Sequence, residues 1–313
     1  MHMADSENQR GTYFVASGKS KNEVSRLVIQ DKIVTAGMGG VLPEQPDPAR
    51  FRSVLDVGCG TGGWLLDVAQ TYSSIPRLVG VDINREMIEY ARKQAQERGL
   101  SDRIEFKVMD SSLMSFPPND FDLINQRFGD SYLRTWDWPD MMRKYVYFLK
   151  RGGTLRLTEA EHTIKSNSPA LTRLFEIGVN AFILAGHSFY PRDDGVTSEL
   201  PHLLHRFGFQ HIDTRAHFID YRAGTEEGEQ FAQDMEYLFK NAVPFYKKRM
   251  VLPDDFDQVY AQAQEEMRQP GFVATHILLT AWGTNALKSN TFPRVDTRSS
   301  TAIGCTRPLS QLF

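Results

Sequence analysis

The stretch Val54-Leu55-Asp56-Val57-Gly58-Cys59-Gly60-Thr61-Gly62-Gly63-Trp64 decides the fold. Two aliphatic residues lead into an acid, glycines crowd a turn, and Trp64-Leu65-Leu66-Asp67-Val68-Ala69 continues with helical character. This is a strand, a glycine-rich loop and a helix amino terminus, whose free backbone N–H groups suit a nucleotide-like ligand. Two patterns overlap in it. Gly58, Gly60 and Gly63 satisfy G-x-G-x-x-G, while Asp56, Gly58, Gly60 and Gly62 satisfy acid-x-G-x-G-x-G.

The acid at position 56 bears on the choice. A dinucleotide brings an anionic pyrophosphate to this turn, and a carboxylate beside it repels. S-adenosylmethionine (SAM) brings an ammonium and a sulfonium instead, so a carboxylate at the strand end suits it better. The loop by itself remains compatible with NAD(P) or FAD.

Composition bounds the rest. The chain has 313 residues, enough for one large domain or two modest ones. A net charge of −3 without long basic runs argues against a nucleic-acid substrate. The two cysteines, Cys59 and Cys305, make a disulfide framework implausible and point to a reducing, cytoplasmic setting. No apolar stretch approaches the ~20 residues that span a bilayer, so no membrane partner is expected. Met1-His2-Met3 reads as a cloning remnant, and the Ser/Thr/Arg/Pro-rich tail 288–313 as disordered or added sequence.

Taken in order, residues 1–52 read as cap helices and a linker. Residues 22–37 carry Val24, Leu27, Val28, Ile33 and Val34 at helical spacing, as one or two helices. As a lid, this segment would offer Tyr13, Glu23, Arg26 and Gln30 to a cofactor. Residues 53–160 read as a nucleotide-binding core. After the strand at 53–57 and the helix at 63–72, residues 77–81 form a second strand ending in Asp82 and Ile83. An acid there can accept both ribose hydroxyls, or cap the helix at 85–98 that contains Met87. Strands at 104–108 and 121–125 end in Asp110-Ser111 and Asn125-Gln126, and a fifth lies at 154–158. Strands alternating with helices mean a doubly wound parallel sheet whose ligands sit outside the carboxyl ends of its strands. Asp56, Asp82, Asp110 and Asn125 all fall there.

With those residues assembled, the chain resembles the class I SAM-dependent methyltransferase superfamily. The resemblance runs from about residue 53 to 159. It rests on the glycine loop, Gly80-Val81-Asp82-Ile83 with Met87-Ile88-Glu89-Tyr90-Ala91-Arg92, Val108-Met109-Asp110-Ser111, Phe121-Asp122-Leu123-Ile124 and Leu149-Lys150-Arg151-Gly152-Gly153. It implies a Rossmann-like seven-stranded sheet with the last strand antiparallel. It also implies Gly58, Gly60 and Gly62 around the methionine moiety, Asp82 at the ribose, and Asp110 with Ser111 at the adenine. The full expected cofactor set is Asp56, Gly58, Cys59, Gly60, Gly62, Trp64, Asp82, Ile83, Met87, Asp110, Ser111, Asn125, Gln126, Arg26 and Gln30. The overall layout is similar to small-molecule enzymes of quinone and natural-product biosynthesis. Asn125-Gln126-Arg127-Phe128 lacks the N-P-P-aromatic signature of adenine and glutamine methylation, and the acid set of metal-dependent catechol enzymes is not evident.

Residues 161–287 read as the rest of the sheet, with strands at 210–223 and 272–282 and helical insertions between them. The insertions are expected to form a cap over an apolar pocket for a small hydrophobic or aromatic metabolite, or to offer a homodimer contact. Catalytic candidates are Glu161 and His162, with Glu159 nearby, just after the fifth strand, and His187 and Tyr190 in the loop that reaches Pro191. Each has a structural rival as a solvated or capping polar group. His202, His205 and His211 lack a completing ligand, so no metal is expected. An NAD(P)-dependent oxidoreductase stays as the alternative, though Tyr145 is not followed by the lysine of a Tyr-x-x-x-Lys pair. A SAM-binding protein without catalysis is the other.

Overall fold

The computed structural model describes residues 21–190 and 195–286. Tyr13, Pro191, Cys305, the first three residues and the tail from Lys288 lie outside the described residues. The sheet grows outward from β1 (Ser53–Val57), whose residues are all buried. A strand covered on both faces belongs in the middle of a parallel sheet. It pairs in parallel with β2 (Arg77–Asp82) and β4 (Phe121–Arg127). β3 (Ile104–Val108) flanks β2, and β5 (Leu149–Ser166) flanks β4. Beyond β5 the direction reverses, and β7 (Val273–Asn285) lies antiparallel between β5 and β6 (Phe209–Arg222). The seven strands run β3-β2-β1-β4-β5-β7-β6, with the last strand antiparallel as expected.

Helices cover both faces. α2 (Gly63–Thr71) and α3 (Arg85–Glu97) bury Trp64, Leu65, Leu66, Ile88 and Ala91 against Val54, Leu78 and Phe106. On the other face, α4 (Trp138–Phe148) and α6 (Leu200–Arg206) set Trp138, Met142, Tyr145 and Leu203 against Val57, Val81 and Ile124. Side chains of this size stabilise by ~1.5–3 kcal/mol each when fully buried. A third core gathers at the antiparallel end. It joins α1 (Lys21–Gly37), α5 (Pro169–Ala185), α7 (Glu226–Arg249) and α8 (Phe256–Arg268) through Ile33, Leu174, Ile177, Phe231, Phe239 and Ala263. α7 is signalled at both ends: the Thr225 hydroxyl caps Gly228 N–H, glutamates crowd the first turn and Lys247, Lys248 and Arg249 the last.

One boundary differs from the sequence reading. The fifth strand does not stop at Thr158 but runs from Leu149 to Ser166, because β7 pairs with it as far as Ser166 across a bulge between Ala160 and Ile164. Glu159, Glu161 and His162 therefore sit within a strand, not in a loop after one. The insertion helices are a packed core more than a hollow cap, with Phe245 of α7 reaching back toward His187.

α1 is locked to the insertion by a buried triad. Arg26 donates to Glu23 at 2.7 and 3.0 Å and to Asp234 of α7 at 3.1 Å. Burial pushes the Asp234 carboxyl up, and the Arg26 charge opposes it. Removing one partner of a buried ion pair typically costs ~3–5 kcal/mol, because the other charge stays buried and unpaired. Arg26→Met is expected to lower the unfolding free energy by an amount in that range, seen as a lower urea midpoint at unchanged m-value. An unchanged midpoint would show that the triad does not hold α1 in place.

Candidate active site

The glycine turn is shaped by positive φ angles at Gly58, Gly60 and Gly62, of 70°, 51° and 75°. At Gly62 a Cβ would also fall 2.6 Å from the Phe106 ring and 2.9 Å from Ala91, so helix α2 can approach the sheet only without one. At Gly60 a Cβ would meet nothing within 4 Å, which leaves that backbone edge open to a ligand. Asp82, at the tip of β2, ties the turn to its neighbour. Its carboxylate accepts Gly60 N–H at 2.9 Å and Asn84 N–H at 2.8 Å. Burial raises its pKa, and these two hydrogen bonds pull the other way. Asn84, and not Asp82, caps α3, accepting from Glu86 and Met87 N–H.

Beside Asp82, Ile83 is 63 % exposed, and Leu113 beyond Asp110 is 71 % exposed. Large apolar side chains left uncovered at adjacent strand ends offer walls for a flat ring. Asp110 fixes its own turn by accepting Ser112 N–H at 2.8 Å, and Lys144 holds the carbonyls of Ser111 and Ser112. Cys59 faces Gly80 of β2, and burial keeps its thiol well above the usual range.

Beneath the turn runs a buried polar chain. Asn125 donates to Asp56 at 2.7 Å and accepts from Arg156 at 2.7 Å, and Arg156 donates to Glu44 at 2.8 Å. Burial pushes the Asp56 carboxyl up to about 7, against the pull of the Arg127 charge and the Asn125 hydrogen bond. Arg127 pairs in turn with Asp31 of α1, whose carboxylate sits where a Cβ on Gly63 would be. α1 thus does cover the glycine turn, but through Asp31.

A second cluster lies at the carboxyl ends of β4 and β5. Phe128 takes a left-handed φ of 56°, a strained conformation for a bulky residue. This turns the chain so that Gly129 and Asp130 donate their N–H groups to Glu159, at 2.7 and 3.3 Å. Burial, reinforced by the Asp130 charge, keeps Glu159 well above the carboxylate range. Burial alone would raise Asp130 as well, but His162, which lies 2.6 Å from its carboxylate, leads the interactions that bring it below its ordinary value. The Asp130 main-chain carbonyl accepts from His187 Nδ1 at 2.5 Å. Gln126 Nε2, Tyr132 Oη and His187 Nε2 are buried here without hydrogen-bond partners among the described residues. Each such atom costs about 1–3 kcal/mol, so their gathering at one strand end marks a place for polar ligand groups. Tyr132 Oη lies against Gly58, 2.9 Å from where a Cβ would stand, and so joins this cluster to the glycine turn.

Several expected contacts belong elsewhere. Trp64 is buried in the α2 core with its indole N–H on the Val41 carbonyl at 2.8 Å. Arg26 serves the α1–α7 triad, and Gln30 is half-buried one residue before Asp31. Both polar ends of Asn125 are engaged inside the Asp56–Arg156 chain, so it supports the site without facing a ligand. Tyr190 is half-exposed and donates to Glu199. Glu161 is half-buried in the β5 bulge, its carbonyl facing His276. Among the described residues no group of ligand-type side chains suited to a metal comes together. Asp31, Arg127, Asp130 and Tyr132 are not among the residues that the sequence singles out; the available signal is the acid of Gly129-Asp130-Ser131 directly after the fourth strand end.

Residues 54–153 match the family model described as a methyltransferase domain. The chain carries a class I SAM-dependent methyltransferase domain. Over 121 residues it is 36 % identical to aklanonic acid methyltransferase DauC of Streptomyces sp. (strain C5), covering 39 % of this chain and 54 % of that protein. It is 28 % identical over 125 residues to the ubiquinone/menaquinone biosynthesis C-methyltransferase UbiE of Hahella chejuensis, covering 40 % and 48 %. The match thus spans about half the length of these relatives. Haemonchus contortus phosphoethanolamine N-methyltransferase 2, solved with phosphomonomethylethanolamine and S-adenosylhomocysteine, shares the fold. Its TM-score is 0.51 at 16 % identity, over 87 % of this chain and 60 % of that one.

The domain's cofactor is SAM, and the residues present fit it. Gly60 leaves a cradle open, Asp82 stands at the strand tip, and Ile83 and Leu113 offer apolar walls. These kinships do not favour the NAD(P) reading, which Asp56 opposes in any case. Asp82→Ala is expected to weaken S-adenosylhomocysteine binding roughly 30-fold or more, about 2 kcal/mol, the scale of a lost charged hydrogen bond. Calorimetry on a variant with unchanged circular dichroism checks this. Unaltered affinity would remove Asp82 from the ribose position.

Proposed function

We propose that this protein transfers the methyl group of SAM to a small acceptor with an apolar, aromatic-compatible body. The observation that carries the reading is one junction. The open glycine turn meets, through Tyr132, a buried cluster that combines unpartnered polar atoms with the rings of Phe182 and Phe245. SAM supplies an electrophilic methyl on a sulfonium. The protein's part is to bind and align both molecules and to keep water away, which can account for most of the acceleration in such a displacement.

On this reading single residues take the following roles. Asp82 meets the ribose, Ile83 and Leu113 the adenine, and Asp56 with the Gly58–Gly62 turn the cationic methionine end. An acceptor with a flat, apolar body suits the Phe182–Phe245 wall. α1 covers the turn through Asp31 and Arg127. Incubating the protein with methyl-tritiated SAM and a small-molecule extract tests the reading. Label entering an organic-soluble product supports it, whereas binding without transfer would leave a SAM-binding protein without catalysis.

The Asp56 assignment gives a pH dependence. With its pKa pushed to about 7, Asp56 is largely neutral below that pH and attracts the cofactor's ammonium only after losing its proton. Calorimetric affinity for S-adenosylhomocysteine is expected to rise with pH between about 6 and 8, up to tenfold per unit on the acid side, with proton release near pH 7. A flat profile would show that Asp56 does not face the ammonium.

A further inference from the structure

We propose that His187 Nε2 takes the proton of the methyl acceptor, and that Asp130 positions it. This rests on the methyl-transfer reading above, and it narrows the acceptor to one whose reacting atom bears a hydroxyl or acidic carbon proton. An amine would need no such group.

The two histidines of the cluster are not equivalent. His162 uses both ring nitrogens, with Nε2 2.6 Å from the Asp130 carboxylate and Nδ1 3.3 Å from Ser188 Oγ. His187 uses one. Its Nδ1 lies 2.5 Å from the Asp130 main-chain carbonyl, and since a carbonyl only accepts, Nδ1 carries the proton. Nε2 is then a bare lone pair. It is buried and unpartnered in a residue that is 1 % exposed, next to Phe182 at 5.2 Å and Phe245 at 6.2 Å between ring centroids.

The fold fixes the position of this ring. Gly186 ends α5 in a left-handed conformation, with Gly186 and His187 N–H bonded to the Ile183 and Phe182 carbonyls. The Gly186 carbonyl accepts Thr135 N–H at 2.9 Å, and the Trp136 ring lies against Gly186. The segment from Asp130 to Trp136 thus grips His187 at one end, while its Tyr132 touches Gly58 of the cofactor turn.

The step balances. The acceptor's O–H or C–H bond breaks, and its proton goes to His187 Nε2. The freed electron pair forms the new bond to the methyl carbon, and the S–CH3 pair remains on sulfur as a neutral thioether. The resulting imidazolium is favoured by the Asp130 charge, whose carboxylate is itself fixed by His162. Arg134 faces His187 with the opposite effect. Burial depresses the His187 pKa, so the ring is neutral and ready at pH 7.

Two variants and one spectrum test this in the full chain. His187→Asn keeps an amide nitrogen where Nδ1 stood but has nothing at Nε2, and His187→Gln does the reverse. His187→Asn is expected to bind S-adenosylhomocysteine as the parent does, yet transfer tritium from SAM into the small-molecule extract roughly a hundredfold more slowly. It is also expected to lack the acid limb that protonation of His187 gives the parent's pH–rate profile, whereas His187→Gln suffers mainly through misplacement of the loop. In the unsubstituted chain labelled with 15N-histidine, His187 should show the Nδ1–H tautomer. Its Nε2 signal should shift when 2-naphthol is added to the protein saturated with S-adenosylhomocysteine. Transfer by His187→Asn at the parental rate and pH profile would overturn the proposal while leaving the methyltransferase reading intact. So would an Nε2–H tautomer, or an Nε2 signal unmoved by millimolar 2-naphthol. Absence of transfer by the parent itself would instead strike the methyltransferase reading.

Discussion

The Asp82 carboxylate holding the Gly60 and Asn84 N–H groups is the contact on which the cofactor side depends. A turn with consecutive left-handed glycines has no side chains of its own to fix it. Asp82 supplies the missing constraint from the next strand, and the Phe106 ring packed where a Gly62 Cβ would be supplies the rest. A charge-assisted hydrogen bond shielded from water is stronger than a neutral one, so the turn is prepared before any ligand arrives. The same acid that shapes the turn is left at the strand tip, where a ribose would meet it.

A second constraint works from below. Asp56, Asn125, Arg156 and Glu44 form a buried chain from the turn to the linker ahead of β1. Buried charges are tolerated when each finds a partner, and here the members of the chain come from four separate segments. The linker is thereby tied to the cofactor turn, and α1 to the same place through Asp31 and Arg127. The amino-terminal segment reaches the glycine turn through these ion pairs as well as packing its apolar residues into the third core.

Much of the fold was legible in the sequence because its signals are local. Strand β1, the glycine loop and Asp82 lie within thirty residues of one another, and buried parallel strands read as short apolar runs. The true length of β5 was not legible, since a strand far along the chain supplies its partner. Arg26 shows the same limit: a cation on a helix reads as a ligand contact until Asp234, from the insertion, takes it up. His187 was visible as a residue type in a loop. What distinguishes it from His162 is which nitrogen finds a partner, and only the folded positions of Asp130 and Ser188 decide that.

The most direct test of the account is amide hydrogen exchange of the full chain with and without saturating S-adenosylhomocysteine. The structure predicts added protection at Gly58–Thr61, at Asp82–Asn84, around Asp110–Leu113 and across α1 near Asp31. Exchange that is unchanged at the glycine turn and at Asp82, with protection confined to other segments or absent, would contradict it.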